Sequence, residues 1–384
     1  MTLRNELIFW RDAPADVELG NFEYLAKNWP NKIIIVCMKD FQKERKHCSW
    51  QTVKLNNVEN IILENHKNSD EIVEEIFLKY PDAINIFCGI RGEKQKYLKQ
   101  YIKKTKKYKL GIMAERPFIY GNSLELFFKK IAFFCLYSYY NLIYGKYVTV
   151  FLAMGRIGVK MYSHYGWDKK KLFPFMYNPK LEKVINKKSI DNEVKFLYIG
   201  RFDANSKGLD ILIDSFNSIK STKGWHLDIV GGYGDIKDLA ITWANNNKNV
   251  DFIGTWNAES VCNNMTNYDV CIVPSKYDGW NLTPNQAINS GIGTIISDQA
   301  GSDELISTSA SGIVVKANDI NALTEAIEYV IKNPSVVMEW KQKAVAYASK
   351  ISSEVVGRYF IQVMEYKFFN SPFRPICPWL KRNI

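Results

Sequence analysis

Apolar runs and helical patterns alternate along the second half of the chain. KFLYIG (195–200), WHLDIVG (225–231), NVDFIG (249–254), YDVCIVPS (268–275), GTIISD (293–298) and SGIVV (311–315) are short and apolar. Between them lie stretches with helical spacing, such as LDILIDSFNSI (209–219). Strands bounded by helices of this length predict βαβ units around a buried parallel sheet. The first half repeats the scheme less regularly. ELIFW (6–10), KIIIVCM (32–38) and AINIFCG (83–89) read as strands, DEIVEEIFLKY (70–80) as a helix, and KLGIMAERPF sets Glu115 after a further strand-like segment. Between the halves, NPKLEKVINKKSIDNE (178–193) is polar and charged and suits a linker. After residue 333 the pattern is helical again, 354–369 is strongly amphipathic, and the three prolines of SPFRPICPWLKRNI end that helix. No repeat of 20–50 residues and no low-complexity tract interrupts the series.

Composition narrows the classes. With 384 residues, 47% hydrophobic and 24% charged, the chain reads as globular and long enough for two domains. Its seven cysteines form no C-x-x-C pair and only four histidines accompany them, which argues against a zinc or disulfide framework and for a reducing compartment. The N-terminus lacks the apolar stretch of a signal peptide, and the run Ile131–Tyr144 is too short to span a bilayer, so a cytoplasmic location is expected. The net charge of +11 favours acidic partners: nucleic acid, anionic lipid or phosphorylated small molecules.

Ligands of an open parallel sheet bind beyond the carboxyl ends of its strands, so the loops there hold the candidate site residues. Arg201 and Lys207 follow the first strand of the second half in RFDANSKG, where two cations form a diphosphate clamp or else two solvated surface charges. Gly231, Gly232 and Gly234 in GGYGD allow a close backbone approach to a ligand or simply a tight turn. In KYDGWNLTPNQAINSG, Thr283 suits a helix N-cap with Pro284 at the first helical position, and Gln286 completes a capping box. Asp278, Gly279, Trp280 and Asn281 would then loop over a helix start whose free N–H groups face an anion.

In this order and spacing, KFLYIGRFDANSKGLDILIDSFNSI, GGYGD, NVDFIG and PSKYDGWNLTPNQAINSGIGTIISD resemble the C-terminal domain of family-4 glycosyltransferases, most specifically over 195–332. A weaker likeness, YVTVFLAMGRIGVKMYSHYGWDKKKLFPFMYNP (147–179), is to the stretch before that domain in bacterial surface-polysaccharide glycosyltransferases. The resemblance implies a GT-B α/β fold of two Rossmann-like domains facing a cleft. An acceptor domain would occupy 1–178 and a nucleotide-sugar domain 194–350, with a helix and tail (351–384) returning to the first domain. It implies a retaining enzyme that moves a sugar from a nucleotide donor, UDP rather than GDP, to a lipid-linked or polysaccharide acceptor. Arg201 and Lys207 match the family's diphosphate pair. The backbone around Asn281, Leu282 and Thr283 would meet the β-phosphate and sugar, and that around Phe252 and Ile253 the base. The family pattern holds two glutamates where this chain has Asp278, toward the sugar hydroxyls, and Gln286, toward the ribose. Asp keeps the charge on a shorter arm, whereas Gln keeps the length and loses the charge. The cations would stabilise the departing nucleoside diphosphate without a metal, and no cofactor is expected. Glu115 would stand on the acceptor side; the competing reading is a solvated or Arg116-paired carboxylate.

Two segments bear on location. KQKYLKQYIKKTKKYK (94–109) holds eight lysines and no acid, and LELFFKKIAFFCLYSYYNLIYGKYV (124–148) is dense in aromatics. Together, over 94–148, they suit docking on an anionic membrane at the inner face of the plasma membrane. The competing readings are a solvated helix face and a core helix. Three other classes compete with this reading. A nucleic-acid binder rests on charge alone and has no motif, so no nucleic-acid partner is expected. A dinucleotide-dependent dehydrogenase lacks the G-x-G-x-x-G fingerprint. A binding scaffold of the same fold, weakened by Asp278 and Gln286, is the alternative to the enzyme.

Overall fold

The computed structural model describes residues 5–14, 16–40, 55–105, 107–119, 121, 123–180 and 193–380. Most of the linker read at 178–193 lies outside them, as do Lys106 of the basic run and Ala15 of the first strand–helix loop. The chain forms two compact units, one of residues 1–117, 130–180 and 353–378, the other of 118–129, 181–352 and 379–384.

The first unit is built on seven strands, β1 (Leu7–Arg11), β2 (Ile33–Cys37), β3 (Val58–Ile62), β4 (Ile84–Cys88), β5 (Leu110–Ala114), β6 (Val148–Met154) and β7 (Leu172–Phe175). All neighbours run parallel, in the order β3-β2-β1-β4-β5-β6-β7. The helices that accompany the strands are α1 (Leu19–Asn28), α2 (Ser69–Lys79), α3 (Lys94–Lys104), α4 (Ser123–Tyr144, whose residues from 130 onward belong to this unit and whose first turns are grouped with the second) and α5 (Gly155–His164). Continuous apolar strands such as IIIVC are buried on both faces by these helices. Aromatic packing is dense: the Trp10 ring stacks on Phe87 at 5.3 Å, and its indole N–H donates to Asn85 Oδ1 at 2.9 Å.

The second unit has six parallel strands, β8 (Val194–Ile199), β9 (Trp225–Val230), β10 (Val250–Gly254), β11 (Val270–Val273), β12 (Gly293–Ser297) and β13 (Gly312–Val315), in the order β10-β9-β8-β11-β12-β13. Its helices are α6 (Leu209–Asn217), α7 (Lys237–Asn245), α8 (Val261–Met265), α9 (Thr283–Asn289), α10 (Asp303–Ser309), α11 (Ile320–Lys332) and α12 (Ser335–Ala348). The last helix, α13 (Ser353–Phe368), belongs to the first unit and packs along α1. Gly357 permits that approach, since a Cβ there would fall on the Tyr24 ring.

Strands absent from the sequence reading lie mainly at the sheet edges. VENII of β3 is half-exposed throughout and carries Glu59 and Asn60, and LFPF of β7 contains Pro174. Edge strands accept polar residues and proline because one side of the ladder has no partner to lose. β6 entered the sequence reading only as part of a weaker resemblance, without being recognised as a strand. The cysteines of the described residues, Cys37, Cys88, Cys135, Cys262, Cys271 and Cys377, are all free thiols.

One charge cluster lies on a face of the second sheet. Asp228 of β9 pairs in register with Asp251 of β10, and His226 sits two residues before Asp228 on the same face. His226 Nε2 lies 3.0 Å from Asp228 Oδ1 and 3.2 Å from Asp251 Oδ2, and the Tyr268 hydroxyl donates to Asp228 Oδ2 at 2.5 Å. The hydrogen bond to Asp228 raises the His226 pKa, against an opposing effect of burial, and Asp251 adds to the rise. Protonated His226 therefore favours the folded state. Its contribution is complete below the unfolded pKa of about 6.5 and is lost as pH rises through the higher folded value. The melting temperature is expected to fall as pH is raised from 6 to 9, and His226→Gln to flatten that slope. Parallel slopes for the two proteins would refute the assignment.

Candidate active site

In the second sheet the chain order reverses at β8, which has β9 on one side and β11 on the other. The crevice beyond the carboxyl ends of these strands is the topological switch point. After β8 the chain enters RFDANSKG. Phe202 turns inward and is fully buried, which leaves Arg201 exposed. Asp203 organises the loop: its carboxylate accepts from the N–H groups of Asn205 and Ser206 at 2.9 and 3.2 Å and from the Ser206 hydroxyl at 2.9 Å. Partial burial opposes ionisation of Asp203, but these hydrogen bonds and the Arg201 charge outweigh it and lower the pKa. Arg201 Nη2 stands 3.6 Å from Asp203 Oδ2, and Lys207 N–H donates to the Asp203 carbonyl at 3.0 Å. Tyr198, its pKa raised by burial and by nearby Asp203, donates its hydroxyl proton to the Arg201 carbonyl at 2.7 Å.

Lys207 reaches from this loop to the one after β11. Its ammonium lies 2.5 Å from Asp278 Oδ2, and both side chains are mostly buried. Asn281 then ties the second loop together. Its carboxamide N–H₂ donates to Asp278 Oδ2 at 3.1 Å and to Ser275 Oγ at 3.3 Å, and its oxygen accepts from Thr283 N–H at 2.9 Å. The loop after β12 supports this arrangement: Asp278 N–H donates to the Gln299 carbonyl, Asn281 N–H to the Ala300 carbonyl, and Ser302 Oγ to the Asn281 carbonyl at 2.7 Å. Arg201, Asp203, Lys207, Asp278 and Asn281 thus form one continuous polar chain along the crevice. Chemically it offers two cations and a carboxylate whose ammonium partner a ligand anion can take over.

The capping expectation needs correction. Thr283 is the first residue of α9 rather than its N-cap, and Leu282 precedes the helix without a side-chain cap. Asn281 takes the Thr283 N–H instead, because its short carboxamide reaches two residues ahead. Gln286 therefore closes no capping box. Its N–H donates to the Leu282 carbonyl as an ordinary helical bond, and the residue is half-buried.

The glycines of GGYGD serve the protein's own backbone. A Cβ at Gly231 would fall on the Gly200 carbonyl and the Phe202 ring, and one at Gly234 (φ +147°) on the Phe202 carbonyl. At Gly232 it would meet the Thr255 methyl. Tyr233 accepts the Phe202 N–H at 2.8 Å, so the turn clasps the Arg201 loop, and the tight-turn reading accounts for these positions. Phe252 rests edge-on against Phe202 at 5.9 Å, while Ile253 is exposed on β10, an edge strand. Glu115 lies in the first unit, exposed, after β5. Its carboxylate accepts from the Tyr177 hydroxyl, whose pKa is raised by burial and by that charge. The sequence reading missed the supporting Gln299–Ser302 loop. Its signal was available, since it follows the apolar run GTIISD at the same sheet edge.

Comparisons with known proteins agree with this architecture. Residues 181–347 match the family described as "Glycosyl transferases group 1". A lipopolysaccharide core biosynthesis mannosyltransferase of Rhizobium leguminosarum bv. viciae is 36% identical over 76 residues, 20% of this chain and 22% of the relative. The chain thus matches only about a fifth of that relative's length. Among solved structures, a sucrose-phosphate synthase from Thermosynechococcus elongatus superposes with a TM-score of 0.70 at 17% identity, covering 96% of this chain and all of the other. HepE of Anabaena in complex with UDP superposes at 0.68 and 13% identity, covering 94% of this chain and all of the other. The fold is GT-B α/β, and residues 181–347 are similar to the group 1 glycosyl transferase family.

Gly231→Ala should act on folding, through the clash with Gly200 and Phe202. Overpacking of this kind costs about 1–3 kcal/mol, read as a lowered denaturation midpoint. An unchanged midpoint with weakened nucleotide binding would instead show that the glycine faces ligand.

Proposed function

We propose that the chain is a retaining glycosyltransferase that moves a sugar from a UDP-sugar to a lipid-linked or polysaccharide acceptor. The products would be bacterial surface glycan, such as lipopolysaccharide, O-antigen or capsule, assembled at the inner face of the plasma membrane. One observation carries the reading: Arg201 and Lys207 stand on the loop after β8 at the switch point, with Lys207 held against Asp278 of the neighbouring loop after β11. The group 1 domain match, the mannosyltransferase relative and the UDP-bound structural neighbour support it.

On this reading the donor diphosphate lies against Arg201 and Lys207 and takes the ammonium from Asp278. Asp278 then accepts hydrogen bonds from sugar hydroxyls, with Asn281 holding its carboxylate in place. The anomeric C–O bond breaks toward the phosphate, and the electron pair goes to the β-phosphate oxygen, where the two cations stabilise the growing charge. The acceptor hydroxyl attacks on the same face and its proton passes to the leaving phosphate, so configuration is retained and no metal is required. In the stretch Asn281–Thr283 the N–H groups of Asn281 and Thr283 are taken by Ala300 and Asn281, so the backbone at Leu282 would meet the β-phosphate and sugar. Gln286 would meet the ribose hydroxyls, and the backbone at Phe252 and Ile253 the base. Gly231, Gly232 and Gly234 shape the loop that presents Arg201, and Glu115 receives the acceptor hydroxyl. A second reading, a nucleotide-binding scaffold with weak turnover, draws on the replacement of the family's glutamates by Asp278 and Gln286.

Calorimetric titration with UDP and GDP tests the donor side. UDP should bind without added divalent cation and in the presence of EDTA, more tightly than GDP. Arg201→Ala/Lys207→Ala should weaken UDP at least tenfold, about 1.4 kcal/mol. Equal affinity of wild type and double variant would contradict the clamp.

A further inference from the structure

α4 is apolar on both sides, yet among the described residues only one side is packed into a core. Its inner side, Phe133, Tyr137, Tyr140 and Tyr144, packs into the core of the first sheet, with Tyr137 stacked on Tyr165 at 5.4 Å. Its outer side exposes Leu124 (68%), Phe127 (58%), Phe128 (61%), Ile131 (48%), Tyr139 (56%) and Leu142 (77%). With exposed Cys135 filling the step between Ile131 and Tyr139, they lie at three- and four-residue spacings on one face and make a stripe about 27 Å long at 1.5 Å rise per residue. Soluble proteins rarely leave such a patch to water, so a surface of this kind marks an interaction site.

The neighbouring helix supplies charge and no apolar face. Tyr97, Leu98 and Tyr101 of α3 are buried in the same core as Tyr137 and Tyr140, so α3 and α4 cover the same side of the sheet. This divides the segment 94–148: α3 has the solvated face, whereas α4 is a core helix on one side only. Lys99 and Lys103 of α3 point outward, and the Arg91 guanidinium lies 5.4 Å from the Phe133 ring centre. On α4 itself, exposed Lys130 and the Lys129–Glu125 pair interrupt the aromatics. No described helix is long and apolar enough to cross a membrane.

We infer that α4 is an interfacial anchor, lying flat in the headgroup region of an anionic bilayer. The Leu124–Leu142 stripe enters the acyl boundary while Lys99, Lys103 and Lys130 meet lipid phosphates. Aromatic residues suit this depth because their rings tolerate the boundary between apolar and wet layers, and lysine stems extend toward the headgroups. A protein partner burying the same stripe would leave these cations facing its rim, whereas an anionic lipid surface neutralises them. The inference deepens the lipid-linked acceptor reading and rests on it for the choice of membrane.

Flotation of the full chain with phosphatidylglycerol/phosphatidylcholine vesicles tests it, beside pure phosphatidylcholine vesicles, with UDP titration and light scattering on every variant. Wild type should float with the anionic vesicles at physiological salt. Phe127→Ser/Phe128→Ser/Ile131→Ser should lose at least tenfold in partition while keeping its UDP response and circular dichroism. Lys99→Glu/Lys103→Glu should lose the salt-sensitive part of binding and retain the rest. Failure of wild type to float, triple-variant binding equal to wild type, or a wild-type dimer that the triple variant converts to monomer would each overturn the anchor. Flotation without any UDP response would uphold the anchor and overturn the donor reading.

Discussion

The ion pair between Lys207 and Asp278 joins the loops that leave β8 and β11, neighbouring strands at the point where the sheet order reverses. Parallel strands buried on both faces have nowhere to place polar chemistry except beyond their ends. Several loops at that edge converge on this one contact. Asp203 sets the turn that aims Lys207, Asn281 holds Asp278 from the other side, and the Gln299–Ser302 loop supports Asp278 and Asn281 from beneath. Phe202 and the glycine turn fix the base of the Arg201 loop. The site is therefore largely formed by the fold before a ligand arrives, with Arg201 as its exposed member.

Where the chain departs from the resemblance, the surroundings bear on what the departure costs. Asp278 is a methylene shorter than glutamate, but Asn281 and the Gln299 carbonyl fix it at both side chain and backbone. A shorter carboxylate held in place loses little to side-chain disorder. Gln286 has no comparable support among its backbone bonds, which are those of an ordinary helix.

Much of the second unit could be read from residues alone. KFLYIG, WHLDIVG and YDVCIVPS have the uninterrupted apolar character of doubly covered strands, and each ends where a site loop begins. The first unit was harder because its edge strands, VENII and LFPF, carry the polar residues and proline that edges permit. Local rules also misassigned the start of α9. Thr283-Pro284 is a sound N-cap pattern, yet Thr283 already lies within the helix and its own N–H is accepted by Asn281 two residues earlier. Likewise, the glycines of GGYGD are compatible with ligand approach or backbone approach, and only the position of Phe202 distinguishes the two. The exposed side of α4 was hidden in the sequence, since a helix that is apolar all round does not reveal which side is buried.

The central claim is that a nucleotide's diphosphate takes over Lys207 from Asp278. A crystal structure of the chain with UDP tests it most directly. The account predicts a β-phosphate oxygen about 2.8 Å from Lys207 Nζ, with Lys207 and Asp278 separated beyond their present 2.5 Å. UDP bound elsewhere, with the Lys207–Asp278 contact unchanged, would contradict it.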